Sequence, residues 1–174
     1  MRVTIDWTQR PVRDGLNGAL DRFIGPGATR AEIALSLGAA LAAALLLLLV
    51  IAVQGLEWTP VQTLLGVLLA FDLAGGIATN ATQSAKRWYH RSGQGARQHL
   101  SFTALHGMHL LLVMFAFYAG DWGYFLLSYG YLLGVALLIV GLPLALRRPV
   151  ALLAALGGVL LSLYGLPAVA GLEW

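Results

Sequence analysis

The chain contains no cysteine, which removes disulfides, thiolate-bound zinc, cysteine-ligated iron–sulfur clusters and covalently attached c-type haem from its chemistry. Charge is nearly as scarce. Of 174 residues only 11% are Asp, Glu, Lys or Arg and 59% are hydrophobic, whereas a soluble domain carries roughly 25% charged residues. Lysine occurs once, at Lys86, and the four histidines fall together, at His90, His99, His106 and His109. There is no HExxH, nucleophile elbow, P-loop or EF-hand loop. So small an exposed basic surface also excludes nucleic acid as a partner.

What is present is a series of apolar runs of the roughly 20 residues needed to cross a bilayer core. They predict an all-α integral membrane protein, a five-transmembrane-helix bundle with spans at about 31–54, 60–84, 97–118, 122–145 and 149–170. Residues 29–174 then form one transmembrane domain, preceded by a polar segment, 1–28. In that segment Val12, Leu16, Leu20, Phe23 and Ile24 recur at helical spacing with Arg13, Asp14, Asn17 and Asp21 opposite, the pattern of a short amphipathic interfacial helix. Its Arg and Asp residues interleave, unlike the basic start of a signal peptide, and no cleavage is expected.

Local signals mark the element ends. Thr29 with Glu32, and Thr59 with Gln62 around Pro60, read as capping boxes, and Gly120-Asp121 caps the fourth span. Arg147-Arg148-Pro149 is predicted as a tight basic turn, and Pro143 and Pro167 as kinks within the fourth and fifth spans. Gly-Leu-Glu-Trp occurs twice, at residues 55–58 and 171–174, and reads as a pair of interfacial anchors.

All eleven Lys and Arg residues fall on one side of the five spans, and Glu57, Asp121 and Glu173 on the other. The positive-inside rule puts the amino terminus in the cytoplasm and the carboxy terminus outside, in a multi-pass inner-membrane protein.

One stretch departs from this aliphatic background. Asp72, Gly76, Thr79 or Asn80, Gln83, Lys86 or Arg87, and His90 follow at steps of three and four, predicting a single polar stripe on a second span that continues as helix toward Tyr89. The third span climbs beside it with His99, Thr103 and His106 on one face and His109 a turn beyond. A carboxyl near the bilayer centre costs about 2.5–3.5 kcal/mol on insertion scales, so Asp72 is expected to face an interior cavity open to the cytoplasm with Asn80, His106 and His109. Two imidazoles at i, i+3 with a carboxylate suit zinc, iron or another divalent transition ion. Haem is disfavoured, because the buried histidines share one helix.

Three functions follow. The first is a metal-dependent or acid–base enzyme on a lipid or other membrane-dissolved substrate: His106, His109 and Asp72 hold the metal, or Asp72 serves as general base, and Asn80 orients a water or carbonyl. Lys86, Arg87, His90, Arg91 and His99 then contact an anionic headgroup. The second is a proton-coupled transporter or channel relaying protons between Asp72 and His109. The third is a non-catalytic accessory subunit, in a homo-oligomer or with a membrane partner, whose polar strip is a packing seam.

Overall fold

The computed structural model describes residues 7–172. Arg2, Asp6, Glu173 and Trp174 lie outside the described residues. Among those described the chain is all-helical, with five helical stretches long and apolar enough to span a membrane. The elements are α1 (Gly15–Ile24), α2 (Arg30–Gln54), α3 (Pro60–Ala81), α4 (Gln83–Tyr89), α5 (Ala96–Leu105), α6 (Gly107–Phe117), α7 (Trp122–Gly141) and α8 (Leu144–Leu160), which runs into a π-helical turn, Leu161–Gly165. They group into two compact units. One comprises the chain up to Leu49 together with Gly66–Gln94, the other Val50–Leu65 together with the chain from Gly95 onward.

In the first unit, α2 and α3 approach through small residues, the usual device where lipid gives no hydrophobic drive between helices. Ser36, Ala40 and Ala44 recur every four residues on the buried face of α2. A Cβ added at Gly75 of α3 would stand 3.0 Å from the Ala40 methyl. Thr29 and Glu32 form the expected capping box at the start of α2, with reciprocal bonds of 2.8 and 3.2 Å.

The second span differs from expectation. It ends at Ala81, because Thr82 takes an extended conformation (φ −70°, ψ 159°) and becomes the N-cap of α4, its hydroxyl accepting from the Ala85 amide at 3.3 Å. The same hydroxyl donates to the Thr79 carbonyl at 2.7 Å. The second carboxylate oxygen of Glu32 then accepts from the Gln83 and Ser84 amides at 3.0 and 3.1 Å. One side chain therefore caps two helices, satisfying amides that neither helix can pair internally.

The short α4 in turn holds α1. The carboxy-terminal carbonyls of α1 have no helical partners, and three side chains of α4 supply donors. Trp88 Nε1 donates to the Arg22 carbonyl (3.0 Å), the Tyr89 hydroxyl to the Phe23 carbonyl (2.8 Å) and the Ser84 hydroxyl to the Ile24 carbonyl (3.1 Å). Gly25 (φ +93°) lies so close that an added Cβ would fall 2.3 Å from the Ser84 carbonyl oxygen. The opposite face of α1 is apolar and open, with Leu16 92% and Phe23 61% exposed.

In the second unit α7 packs against α5, α6 and α8. Tyr129 and Tyr131, two residues apart on a helix, point to opposite sides. The Tyr129 hydroxyl donates to the Ala104 carbonyl of α5 (3.1 Å) and that of Tyr131 to the Ala154 carbonyl of α8 (2.6 Å). Thr59 and Gln62 form the expected capping box of α3. Gln62 also donates to the Ala116 carbonyl at 2.7 Å, and the Asp121 carboxylate caps α7 by accepting from the Gly123 amide at 2.8 Å. Gly171, the first residue of the second Gly-Leu-Glu-Trp copy, lies against Leu56 and Trp58 of the first, and Trp58 Nε1 donates to the Ala170 carbonyl at 3.1 Å.

The fourth and fifth spans are shifted from prediction. Pro143 and Pro167 end helices instead of kinking them: each forces the residue before it into extended backbone, Leu142 at ψ 153° and Leu166 at ψ 154°. The fourth span therefore stops at Gly141 and the fifth is Leu144–Gly165. Arg147, Arg148 and Pro149 lie inside α8 and form no turn. Arg147 reaches back to cap α7, donating to the Leu142 and Val140 carbonyls, both at 2.9 Å, a favourable place for a cation.

Asp21 sets a pH limit on the attachment of α1. It is 1% exposed and accepts from the Arg13 backbone amide (3.0 Å), Nε (2.9 Å) and Nη2 (2.7 Å). These bonds hold its carboxyl below the ordinary value of 3.8. A lowered native pKa contributes stability that is complete above the unfolded value and is lost as pH falls through the native one. Protection of the α1 amides, taken relative to their intrinsic exchange rate at each pH, is expected to stay constant from about pH 8 to pH 5 and to fall below about pH 4. Asp21→Asn should exchange faster at neutral pH and lack the acid step.

Candidate functional site

Helix geometry and side-chain chemistry converge at the middle of the third span. The segment Ala96–Phe117 is interrupted at His106, between α5 and α6. The His106 amide bonds to the Thr103 carbonyl at 3.0 Å, one residue short of the α-helical partner, Phe102. The imidazole supplies the missing donor, with Nδ1 3.0 Å from the Phe102 carbonyl oxygen. A carbonyl only accepts, so Nδ1 carries the proton and, in the neutral ring, Nε2 keeps its lone pair. Helix resumes at once, the His109 amide donating to the His106 carbonyl at 3.0 Å.

Neighbours hold this break. The His106 ring packs edge-on against Phe102 (centroids 4.9 Å apart) and beside His109 (5.3 Å). Gly107 is buried and admits the Tyr129 ring, which an added Cβ would meet at 2.7 Å. From there rings continue along α7: Tyr129 stacks on Phe125 (5.2 Å), and Phe125 meets Trp122 edge-on (5.7 Å). One turn before the break, the Thr103 hydroxyl donates to the His99 carbonyl at 3.0 Å.

The predicted residues divide between the units. His99, His106 and His109 lie in the second, half-buried. Asp72 and Asn80 lie in the first, on α3, both exposed. The single polar stripe is corrected by the break at Thr82: Asp72, Gly76, Thr79 and Asn80 belong to α3, whereas Gln83, Lys86 and Arg87 start afresh on α4 and His90 is its C-cap. Thr79 is buried. Of the residues expected at an anionic headgroup, Lys86, Arg87, His90 and Arg91 are together at α4 and His99 is on α5. Arg91 stacks on Trp88, its guanidinium carbon 3.5 Å from the ring centroid, and donates to the Trp88 carbonyl. Burial pushes the Tyr89 phenol up, against the opposing pull of Arg91, so Tyr89 acts as a donor to α1.

The His106–His109 pair offers two nitrogen-bearing rings side by side, whereas a structural or catalytic zinc takes three or four protein ligands. Among the described residues no three His, Cys, Asp or Glu side chains gather as a ligand group. Sequence reasoning picked out His106 for its spacing but missed Phe102, Gly107 and Tyr129. A glycine directly after a mid-span histidine was the available signal.

The five long apolar helices place the chain in the class of polytopic membrane proteins. Compared with known proteins it has no match among family models, curated proteins or solved structures.

Gly107 is the position most sensitive to bulk. Gly107→Val drives a branched side chain into the Tyr129 ring and is expected to destabilise the chain by about 1–3 kcal/mol, as overpacking does. Tyr129→Phe, which keeps the ring and removes one hydrogen bond, should cost about 1 kcal/mol. Unfolding in mixed micelles measures both, and a Gly107→Val variant as stable as wild type would contradict this packing.

Proposed function

We propose that the chain is an inner-membrane enzyme acting by acid–base chemistry on a lipid or other membrane-dissolved substrate, with Nε2 of His106 as the base. The observation that carries this reading is the bond from His106 Nδ1 to the Phe102 carbonyl at the helix break. It orients the ring and commits one nitrogen as donor, leaving the other basic, the arrangement that general-base catalysis uses. His109, its ring centroid 5.3 Å away, is placed to share or pass on the proton. If a divalent ion such as zinc or iron binds, His106 Nε2 and His109 are its first two ligands, and the ion would polarise a substrate carbonyl or bound water.

In this reading the amino terminus is cytoplasmic and the carboxy terminus outside. The open apolar face of α1, with Leu16, Leu20 and Phe23 exposed, lies in the cytoplasmic leaflet, and Lys86, Arg87 and Arg91 sit at headgroup level.

A second reading, a proton-coupled transporter or channel, draws support from Asp72. It is a mid-span carboxyl that is exposed in the single chain, and such groups mark proton and solute paths.

Three measurements test the proposal. Nitrogen NMR of labelled protein should show His106 protonated at Nδ1 and bare at Nε2 near pH 8; the opposite tautomer overturns the base assignment. Metal bound at about one equivalent and lost in both His106→Ala and His109→Ala selects the metal-dependent form. Proton flux in liposomes that Asp72→Asn abolishes overturns the enzyme in favour of transport. For topology, the cysteine-free background allows single Glu57→Cys and Ser92→Cys variants. An impermeant maleimide should label the first in intact spheroplasts and the second only after lysis.

A further inference from the structure

His106 lies midway along the third span. It is the eleventh residue of the 22-residue stretch Ala96–Phe117, about 15 Å from either end at roughly 1.5 Å per residue, which is the midplane of a hydrocarbon core about 30 Å thick. Its Nδ1 proton is committed to the Phe102 carbonyl. Nε2 takes no hydrogen bond from any described residue and is not among the buried polar atoms, so it opens at the surface of the chain. That surface is apolar. Phe102, against which the His106 ring packs edge-on at 4.9 Å, Leu105 and Met108 are all exposed.

An acceptor facing hydrocarbon lacks the donor that water would supply, and leaving it unmet is costly. A ligand that meets it carries an O–H or N–H, because the bare nitrogen of a neutral imidazole only accepts. It is uncharged, because a charge at this depth is strongly disfavoured. A phospholipid fails on position: its headgroup stays about 15 Å away at the interface, and the acyl segment that reaches the midplane has no donor. Acidity then sorts the neutral donors. A phenol, at about 10, stands about 3.5 pK units above an imidazole at about 6.5, whereas an aliphatic hydroxyl, comparable to water at about 15.7, stands about 9 above it. The phenol is the stronger donor and the one whose proton an imidazole can take. Its ring also has the exposed Phe102 to lie against, and aromatic pairs add to plain apolar contact.

We infer that His106 Nε2 accepts the hydroxyl of a neutral phenol or quinol held in the bilayer by an apolar tail, with the ligand ring against Phe102, and that phospholipid headgroups are not its substrate. The inference rests on the base assignment made above and adds the substrate class to it.

Nitrogen NMR of the full chain, labelled at histidine, in phosphatidylcholine nanodiscs provides the test, with pentadecylphenol as the probe. The probe should move the His106 Nε2 resonance upfield and saturably. Its methyl ether, which keeps ring and chain but has no proton to donate, should bind about tenfold more weakly and leave that resonance in place. Hexadecanol should move it less than the phenol, and phosphatidylglycerol not at all. A nitroxide at the end of a lipid acyl chain should broaden the resonance more than one beside the headgroup. In native mass spectrometry His106→Asn, whose amide can still donate to the Phe102 carbonyl, should retain about tenfold less pentadecylphenol. Phe102→Leu, which leaves that carbonyl in place, should lower retention by a smaller factor.

With Nδ1 protonated and Nε2 bare as assigned, three results overturn this inference alone: the ether shifting Nε2 as the phenol does, a cross-peak from Nε2 to water that the phenol does not remove, or stronger broadening by the headgroup nitroxide. The opposite tautomer without probe overturns the base assignment and this inference with it. The probe series is read on the wild type, so it decides whether or not His106→Asn folds.

Discussion

Hydrocarbon supplies no hydrogen bonds, so each backbone amide or carbonyl that leaves a helix near the membrane must find its partner within the protein. This constraint shapes every joint described above. At the entry to α2 and again at α4 the partner is Glu32; at the end of α1 it is Trp88, Tyr89 and Ser84. At the end of α7 it is Arg147, and in the middle of the third span the His106 ring. An unpaired buried group costs about 1–3 kcal/mol, as much as many core contacts contribute. These side chains therefore decide where the helices stop, and the aliphatic faces between them only have to be apolar.

The joints also account for the polar residues in a chain that has so few. Trp88, Tyr89 and Arg91 resemble a headgroup-facing belt when read along the sequence. In the structure the two aromatic residues turn inward and spend their donors on α1, while Arg91 folds back over Trp88.

Much of this was legible in the sequence wherever the signal was local. Capping boxes at Thr29 and Thr59, and the Gly120-Asp121 cap, need only residues two or three apart, and each forms as read. The five spans were legible because apolar length is a one-dimensional property. The misreadings have one source. Pro143 and Pro167 were given the role of kinks, and Arg147-Arg148-Pro149 that of a turn, because a proline within an apolar run does not say whether a neighbour will take up the freed carbonyls. Here Arg147 does so at Leu142, and the helix ends. The break at Thr82 was hidden for a similar reason: Asn-Ala-Thr-Gln-Ser-Ala carries no breaker, and the residue that makes the break affordable, Glu32, is fifty positions away.

The break at His106 differs from the others in the kind of residue that closes it. A carbonyl freed in the membrane needs only a donor, and serine, threonine, asparagine, arginine or lysine would provide one. Arginine and lysine leave no acceptor behind. A hydroxyl or amide leaves an acceptor too weakly basic to take a proton near neutrality. Imidazole donates from one nitrogen and keeps a lone pair on the other, and its ordinary pKa lies in the physiological range.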